Sequence, residues 1–135
     1  MPSPNQIAIE VYRILVNTTG VTNYVGNRIR PEVIKDSSAT LPYIVYGIRN
    51  TEPENTKQAT SKMDTTTVVI ISVHNDYAEL SDLGTEVRTA LDYSSNITDG
   101  ISKIFFQTED FEYEDDFGAD GAYVLTQQFI AKIRR

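Results

Sequence analysis

Thr65-Thr66-Thr67-Val68-Val69-Ile70-Ile71-Ser72-Val73-His74, followed by Asn75-Asp76-Tyr77-Ala78-Glu79-Leu80, is the stretch on which the fold turns. Its first part is dense in β-branched residues, which fit a pleated surface better than a helix. Val68 to Ile71 is apolar without alternation, whereas a strand with one wet face would alternate, so this one is expected to be covered on both sides. Asp76, with Glu79 three residues on, has the spacing of a helix-opening capping box. Leu80, Leu83, Val87 and Leu91 then recur at helical spacing as one buried stripe. Gly84 lies within that stripe, where glycine costs about 1 kcal/mol against alanine, a cost that close packing on a sheet would offset.

Lengths then predict the crossover. A helix from Tyr77 to about Asp92 runs roughly 24 Å, at about 1.5 Å per residue. The strand Thr65–His74 spans roughly 33 Å. Helix and loop Ser94–Gly100 together return the chain to the starting end, so strand Ile101–Phe106 is expected to run parallel to Thr65–His74. Loop Asn50–Lys62 and acidic loop Gln107–Gly121 then fall at opposite ends of the sheet, with Asn55 and Asp115 far apart.

Working outward, Ser3 and Gln6 have capping-box spacing around Pro4, and Ile7, Val11, Ile14 and Leu15 form an apolar stripe, with Gly20 as the expected stop. A short turn Val21–Val25 ends at Gly26, and Arg28-Ile29-Arg30 reads as a brief extended piece halted by Pro31. Glu32–Thr40 reads as polar loop, Tyr43–Arg49 as a strand introduced by Pro42, and Asn50–Lys62 as an exposed connection without large apolar residues. Tyr123–Ile133 is the last strand. The fold class is α+β: a mixed four- to five-stranded sheet with two principal helices, one of them a crossover between strands. The first helix covers the same face or reaches a neighbouring subunit. No repeat or linker interrupts residues 1–135, which are expected to form one domain.

The chain carries 40% hydrophobic residues, with eight Tyr and five Phe, enough for a real core. It has no Cys, so disulfides and thiolate metal sites are excluded. No run is long and apolar enough to span a bilayer as a helix. Met1-Pro2-Ser3-Pro4 lacks the basic-then-apolar pattern of a signal peptide, so synthesis in the cytoplasm is expected. The net charge of −7 repels phosphate and argues against gripping nucleic acid. Charge is also segregated. Between Ile104 and Ala131 there is no Lys or Arg, while Glu109, Asp110, Glu112, Glu114, Asp115, Asp116 and Asp120 all fall there. Arg28, Arg30, Lys35, Arg49, Lys57 and Lys62 make up half of the basic residues and lie between positions 28 and 62. Such segregation points to two surfaces with different neighbours.

The chemistry-bearing residues are few. His74 is the one His, with Ser72 two residues away on the same strand face, but no nucleophile elbow surrounds that Ser. We read His74 as structural and expect no catalytic residues. Zinc favours Cys and His, which this chain lacks or nearly lacks. Asp115-Asp116-Phe117-Gly118-Ala119-Asp120-Gly121 lacks the ligand order and closing Glu of a calcium loop, and is read as solvated and acidic. No phosphate-binding glycine loop is present, and no metal or cofactor is expected.

A set of phrases recurs along the chain in a fixed order. An opening helix at Ile7–Leu15 is followed by Val25-Gly26, by Arg28-Ile29 with Pro31 close behind, and by Leu41-Pro42-Tyr43-Ile44-Val45-Tyr46. A polar loop, a strand ending near Tyr77-Ala78-Glu79, and a C-terminal strand complete the set. In this order the chain resembles the tail-completion, or tail-terminator, proteins of long-tailed phages, over nearly its whole length. The acidic stretch Glu109–Asp120 is heavier than the family pattern. The resemblance implies a non-enzymatic virion protein, assembled in the host cytoplasm, that forms a ring, usually a homohexamer. Such a ring caps the head-proximal end of the tail tube, ends its polymerisation and meets the head–tail connector, while genomic DNA passes through the lumen without specific binding. Its partners are further copies of itself, the tube protein and the connector, with no membrane. The acidic residues would then form a rim or lumen loop. A head-side connector or closure protein of the neck is the alternative within assembly proteins. A small hydrolase or ligand-binding domain is the alternative outside them, with almost no support in the residues.

Overall fold

A computed structural model describes residues 4–31, 41–53, 63–92, 101–114 and 121–134. In chain order the elements are α1 (Pro4–Val16), α2 (Thr19–Val25), β1 (Ile29–Pro31), β2 (Tyr43–Pro53), β3 (Met63–His74), α3 (Tyr77–Leu91), β4 (Ile101–Glu114) and β5 (Ala122–Arg134). The strands form one mixed sheet in the order β1-β2-β3-β5-β4. Among the described residues β1 and β2 pair parallel, and the other pairings are antiparallel.

The β-branched run occupies the central strand, as its composition demands. Val68 and Ile70 face the helices and are buried, and Val69 and Val73 on the opposite face are 2% exposed. The two-sided burial is therefore real at β3. The described helices all lie on one face, where Ile7, Val11, Leu15, Leu80, Leu83, Val87 and Leu91 close over Ile44, Val68, Ile70, Ile104, Leu125 and Phe129. That answers the open question about α1, which covers the same face as α3.

Helix α3 begins as its sequence predicts: the Asp76 side chain accepts the Glu79 N–H at 3.2 Å. The Glu79 carboxylate does not return to Asp76 but meets His74 Nε2 at 2.5 Å. All four stripe residues and Gly84 are buried. A Cβ on Gly84 would run into Leu125 of β5, and the Gly84 carbonyl accepts from Gln127 Nε2 at 3.0 Å. The glycine is there because the helix crosses β5 at close range.

Some boundaries and neighbours differ from the sequence reading. Gly20 does not stop α1. The helix ends at Val16, where Asn17 Nδ2 and Thr18 Oγ1 donate to the Arg13 and Ile14 carbonyls at 2.8 and 2.7 Å. Gly20 lies inside α2, where a side chain would collide with Glu86 of α3. The Gly26 stop stands, at φ 57°, a left-handed conformation that glycine adopts without strain. Strand β2 continues past Arg49 to Pro53, and β4 continues past Phe106 to Glu114. The reason is long-range pairing: Asn50–Pro53 register against Asp64–Thr67, and Thr108–Glu114 against Ala122–Gln128. β4 runs in the same direction as β3, but β5 lies between them.

Pro53 and Met63 lie at the end of the sheet where β5 finishes, and Glu114 and Gly121 lie at the other. Segments 54–62 and 115–120 therefore leave from opposite ends. The segments themselves, with Asn55 and Asp115, lie outside the described residues, as do the expected loops Glu32–Thr40 and Ser94–Gly100. The register of β4 against β5 slips between Phe106 and Thr108, and the Phe106 N–H is taken up by Asp92 Oδ1 at 2.8 Å. Asp92 caps α3 and fixes this bulge at once.

Gly84→Ala gains about 1 kcal/mol of helix propensity, but its Cβ would meet Leu125 Cδ2 and overpacking costs about 1–3 kcal/mol, so the urea midpoint should stay level or fall; a clearly higher midpoint would contradict the close crossing. Asp92→Ala leaves the Phe106 N–H without its acceptor and should cost about 1–3 kcal/mol, whereas Asp92→Asn keeps an acceptor and should cost clearly less. Equal losses for the two variants would remove the role given to Asp92.

Candidate interaction edges

Four of the seven acidic residues singled out from sequence, Glu109, Asp110, Glu112 and Glu114, lie on the edge strand β4 rather than in a loop. Asp115, Asp116 and Asp120 lie outside the described residues. An edge strand tolerates such charge because its side chains have water beside them, and carboxylates there oppose indiscriminate strand pairing. Registered with β5, Glu109, Phe111 and Tyr113 fall on the helix side of the sheet, and Asp110, Glu112 and Glu114 on the other. Interleaved with the acids is an aromatic cluster that sequence reading missed. Tyr77 of α3 packs on Phe111 and Tyr123 at ring distances of 5.1 and 5.4 Å, and Tyr113 packs edge-on to Tyr123 at 5.1 Å. The alternation Phe111-Glu112-Tyr113 was its only signal. Tyr77 and Tyr113 remain half exposed, at 50% and 51%.

The other edge is built from the family-like phrases, and the fold gives them a structural role. Arg28 reaches back with Nε donating to the Pro42 carbonyl at 2.8 Å and Nη2 to the Tyr24 carbonyl at 3.2 Å. The Leu41–Pro42 peptide is cis. The Ile44 N–H donates to the Arg28 carbonyl at 2.9 Å, and Ile29, Arg30 and Pro31 register with Ile44, Val45 and Tyr46. Arg28, Ile29 and Pro31 thus come together with Pro42, Ile44, Val45 and Tyr46 to fasten β1 onto β2, while Leu41 and Tyr43 lie at the start of the same segment. Arg30 is exposed. Above this edge, Tyr12 of α1 lies 5.8 Å ring to ring from Tyr46, and Ile9 and Tyr12 are 56% and 39% exposed. Burial, with Tyr12 alongside, pushes the Tyr46 phenol above its ordinary pKa.

Between α3 and the outer strands runs an open groove of about 470 Å³. Arg88, Asp92 and Glu109 line it together with Gly84 and Leu125, and the Arg88 guanidinium lies 3.9 Å above the Phe106 ring. Gln127 is fully buried beneath it, with its Oε1 unpartnered. His74 and Ser72 do share a face, but the His ring is held elsewhere. Its Nε2 meets Glu79, and its Nδ1 accepts the Asn75 N–H at 3.0 Å. The described residues contain no group of three or more His, Asp or Glu placed to hold a metal ion. No helix among them is long and apolar enough to cross a membrane.

The chain matches the family described as "Tail completion protein gp17" over residues 9–134. No curated protein matches it in sequence. Among solved structures it is similar to a chain of the "Virion of native gene transfer agent (GTA) particle", with a TM-score of 0.74 and 17% identity, over 94% of this chain and 93% of that one. At that identity the likeness is one of fold.

Proposed function

The chain belongs to the tail completion protein gp17 family, and from that membership we propose that copies of this structural phage virion protein form a ring, most simply a homohexamer. The ring caps the head-proximal end of the tail tube, ends tube polymerisation and offers its far rim to the head–tail connector. The observation that carries the reading is the family match across residues 9–134. The function is non-enzymatic, and residues 1–135 act as one domain.

The chain's chemistry supports this reading. Segments 54–62 and 115–120 leave the sheet from opposite ends. The first carries Glu54, Lys57 and Lys62; the second carries Asp115, Asp116 and Asp120 with no base. A ring of aligned copies has two chemically different rims, and complementary fields let each select its own partner, tube on one side and connector on the other. A net charge of −7 on every copy suits a lumen through which DNA slides without sticking.

Particles assembled without this protein should contain tubes of uncontrolled length that fail to join heads, and a label on it should appear at the head-proximal tube end. Tubes of normal length, or a label confined to the head-side ring, would refute termination; the latter outcome would favour a connector. Purified protein should form no complex with duplex DNA below micromolar concentration at moderate salt, since non-specific binding needs cationic phosphate contacts. A sub-micromolar gel shift would contradict the sliding lumen.

A further inference from the structure

The two sheet edges are open in complementary ways. β4 is 14 residues long and pairs only with β5 among the described residues. A long unpaired edge is a ready template for another strand. At the other side, the 3-residue β1 covers β2 only at Ile44–Tyr46, so from Gly47 to Pro53 β2 has β3 as its one described strand neighbour. Exposed aromatic side chains stand at both edges. Among the described residues, Tyr77 and Tyr113 stand at the β4 edge, and Tyr12 lies beside Tyr46 at the β1–β2 edge. Aromatic anchors of this kind, ringed by polar groups, are what protein interfaces use at their centres.

Charge decides which edge meets which. The described part of β4 beyond Phe106 carries Glu109, Asp110, Glu112 and Glu114 and no base, whereas Arg28 and Arg30 belong to the other edge. Two β4 edges repel each other; a β4 edge and a β1–β2 edge attract. We propose that consecutive copies of this chain meet edge to edge, β4 of one against the β1–β2 edge of the next, so that the sheet continues around the ring. The inference rests on the ring reading and adds where the copies touch.

Strand direction and register agree with this arrangement. β4 runs parallel to β3 and therefore antiparallel to both β1 and β2. Rotation about an axis along the strands preserves direction, so β4 meets its new neighbour antiparallel, an ordinary ladder. Register places Arg30 opposite Val45, Val45 opposite Ile71, Ile71 opposite Thr126, and Thr126 opposite Asp110. Arg30 and Asp110 thus share one row and one face of the sheet, away from the helices, and both are exposed. The same rotation moves nothing along its axis, so Asp110 of one copy arrives close to the level of Arg30 in the next. The contact joins unlike patches, which is the head-to-tail geometry that closes into rings.

The absence of Cys makes the test direct. In assembled particles, a chain carrying Arg30→Cys and Asp110→Cys together, bridged by a short bismaleimide, should give a ladder of covalent multimers ending at the closed ring. Either single variant alone should give none, and a mixture of the two single variants should give dimers. Separately, Arg30→Glu and Asp110→Lys should each lower incorporation into particles several-fold, and the double reversal should restore it. Self-linking of a single variant, or linking of Asp110→Cys to a different virion protein, would overturn the inference. If amine cross-linking shows many contiguous copies while the double variant gives no ladder, the edge contact falls and the ring stands. One or two copies per particle would bring down the ring itself.

Discussion

Helix α3 crosses the sheet at close range over β5, where Gly84 presents no side chain to Leu125. The rest of the topology depends on that approach. The helix leaves the His74 end of β3, passes over β5 and delivers the chain to β4 two positions away, leaving a slot that β5 fills antiparallel to both neighbours. Packing at this crossing is tight on both partners. Gln127, next on the helix-facing side of β5, is buried and gives one of its amide hydrogens to the Gly84 carbonyl. Asp92 at the end of the same helix takes the N–H that the β4 bulge releases. One helix thus fixes the position of β5, the start of β4 and the bend between the two halves of β4.

That arrangement makes β4 an edge, and an edge strand is where chemistry toward other molecules is cheapest to place. Its carboxylates need no burial, and Phe111 and Tyr113 stack on Tyr77 of α3 and Tyr123 of β5 at the border of the core. The opposite edge is stiffened differently. Arg28 spans from α2 to the Pro42 carbonyl and holds β1 in place, so the phrase that gives the chain its family likeness is a structural clasp rather than a reactive site. The molecule therefore has two firm edges of unlike charge.

Local pattern revealed what local energetics decide. The β-branched run, the Asp76 cap, the apolar stripe of α3 and the Gly26 stop all stand where sequence puts them, because each depends on residues within a few positions. Strand order was not legible in this way. Nothing in Ile101–Phe106 says that Ala122–Arg134 will come between it and β3; that choice is made by long-range pairing. The acidic half of β4 was read as loop because its charges outweighed a visible period of two, Phe111 and Tyr113 alternating with Glu112. Gly20 misled for the opposite reason: it reads as a helix stop, but α1 is closed earlier by Asn17 and Thr18 and Gly20 falls inside α2. Of the candidate site, the acids were found and the aromatic partners were not, since Tyr77 and Phe111 are brought together by tertiary packing alone.

Open sheet edges ordinarily invite aggregation, so the ones in this chain need guarding. β2 ends in Pro53 and β1 in Pro31, neither of which has an N–H to offer a passing strand. Register shifts break β2 near Arg49 and β4 near Ser102 and Gln107, and bulges twist an edge away from flat templates. Most of all, β4 carries charge of a single sign along its outer half, so two such edges repel. These devices do not close the edges; they narrow the set of strands that can pair with them. A partner for β4 must tolerate the bulges and bring positive charge, and within this chain the β1–β2 edge brings the charge. Selectivity of that kind fits the proposed head-to-tail assembly, and head-to-tail contacts either close on themselves or run on as filaments. A protein that ends a polymer must not begin one, so closure into a ring is the outcome its proposed role requires.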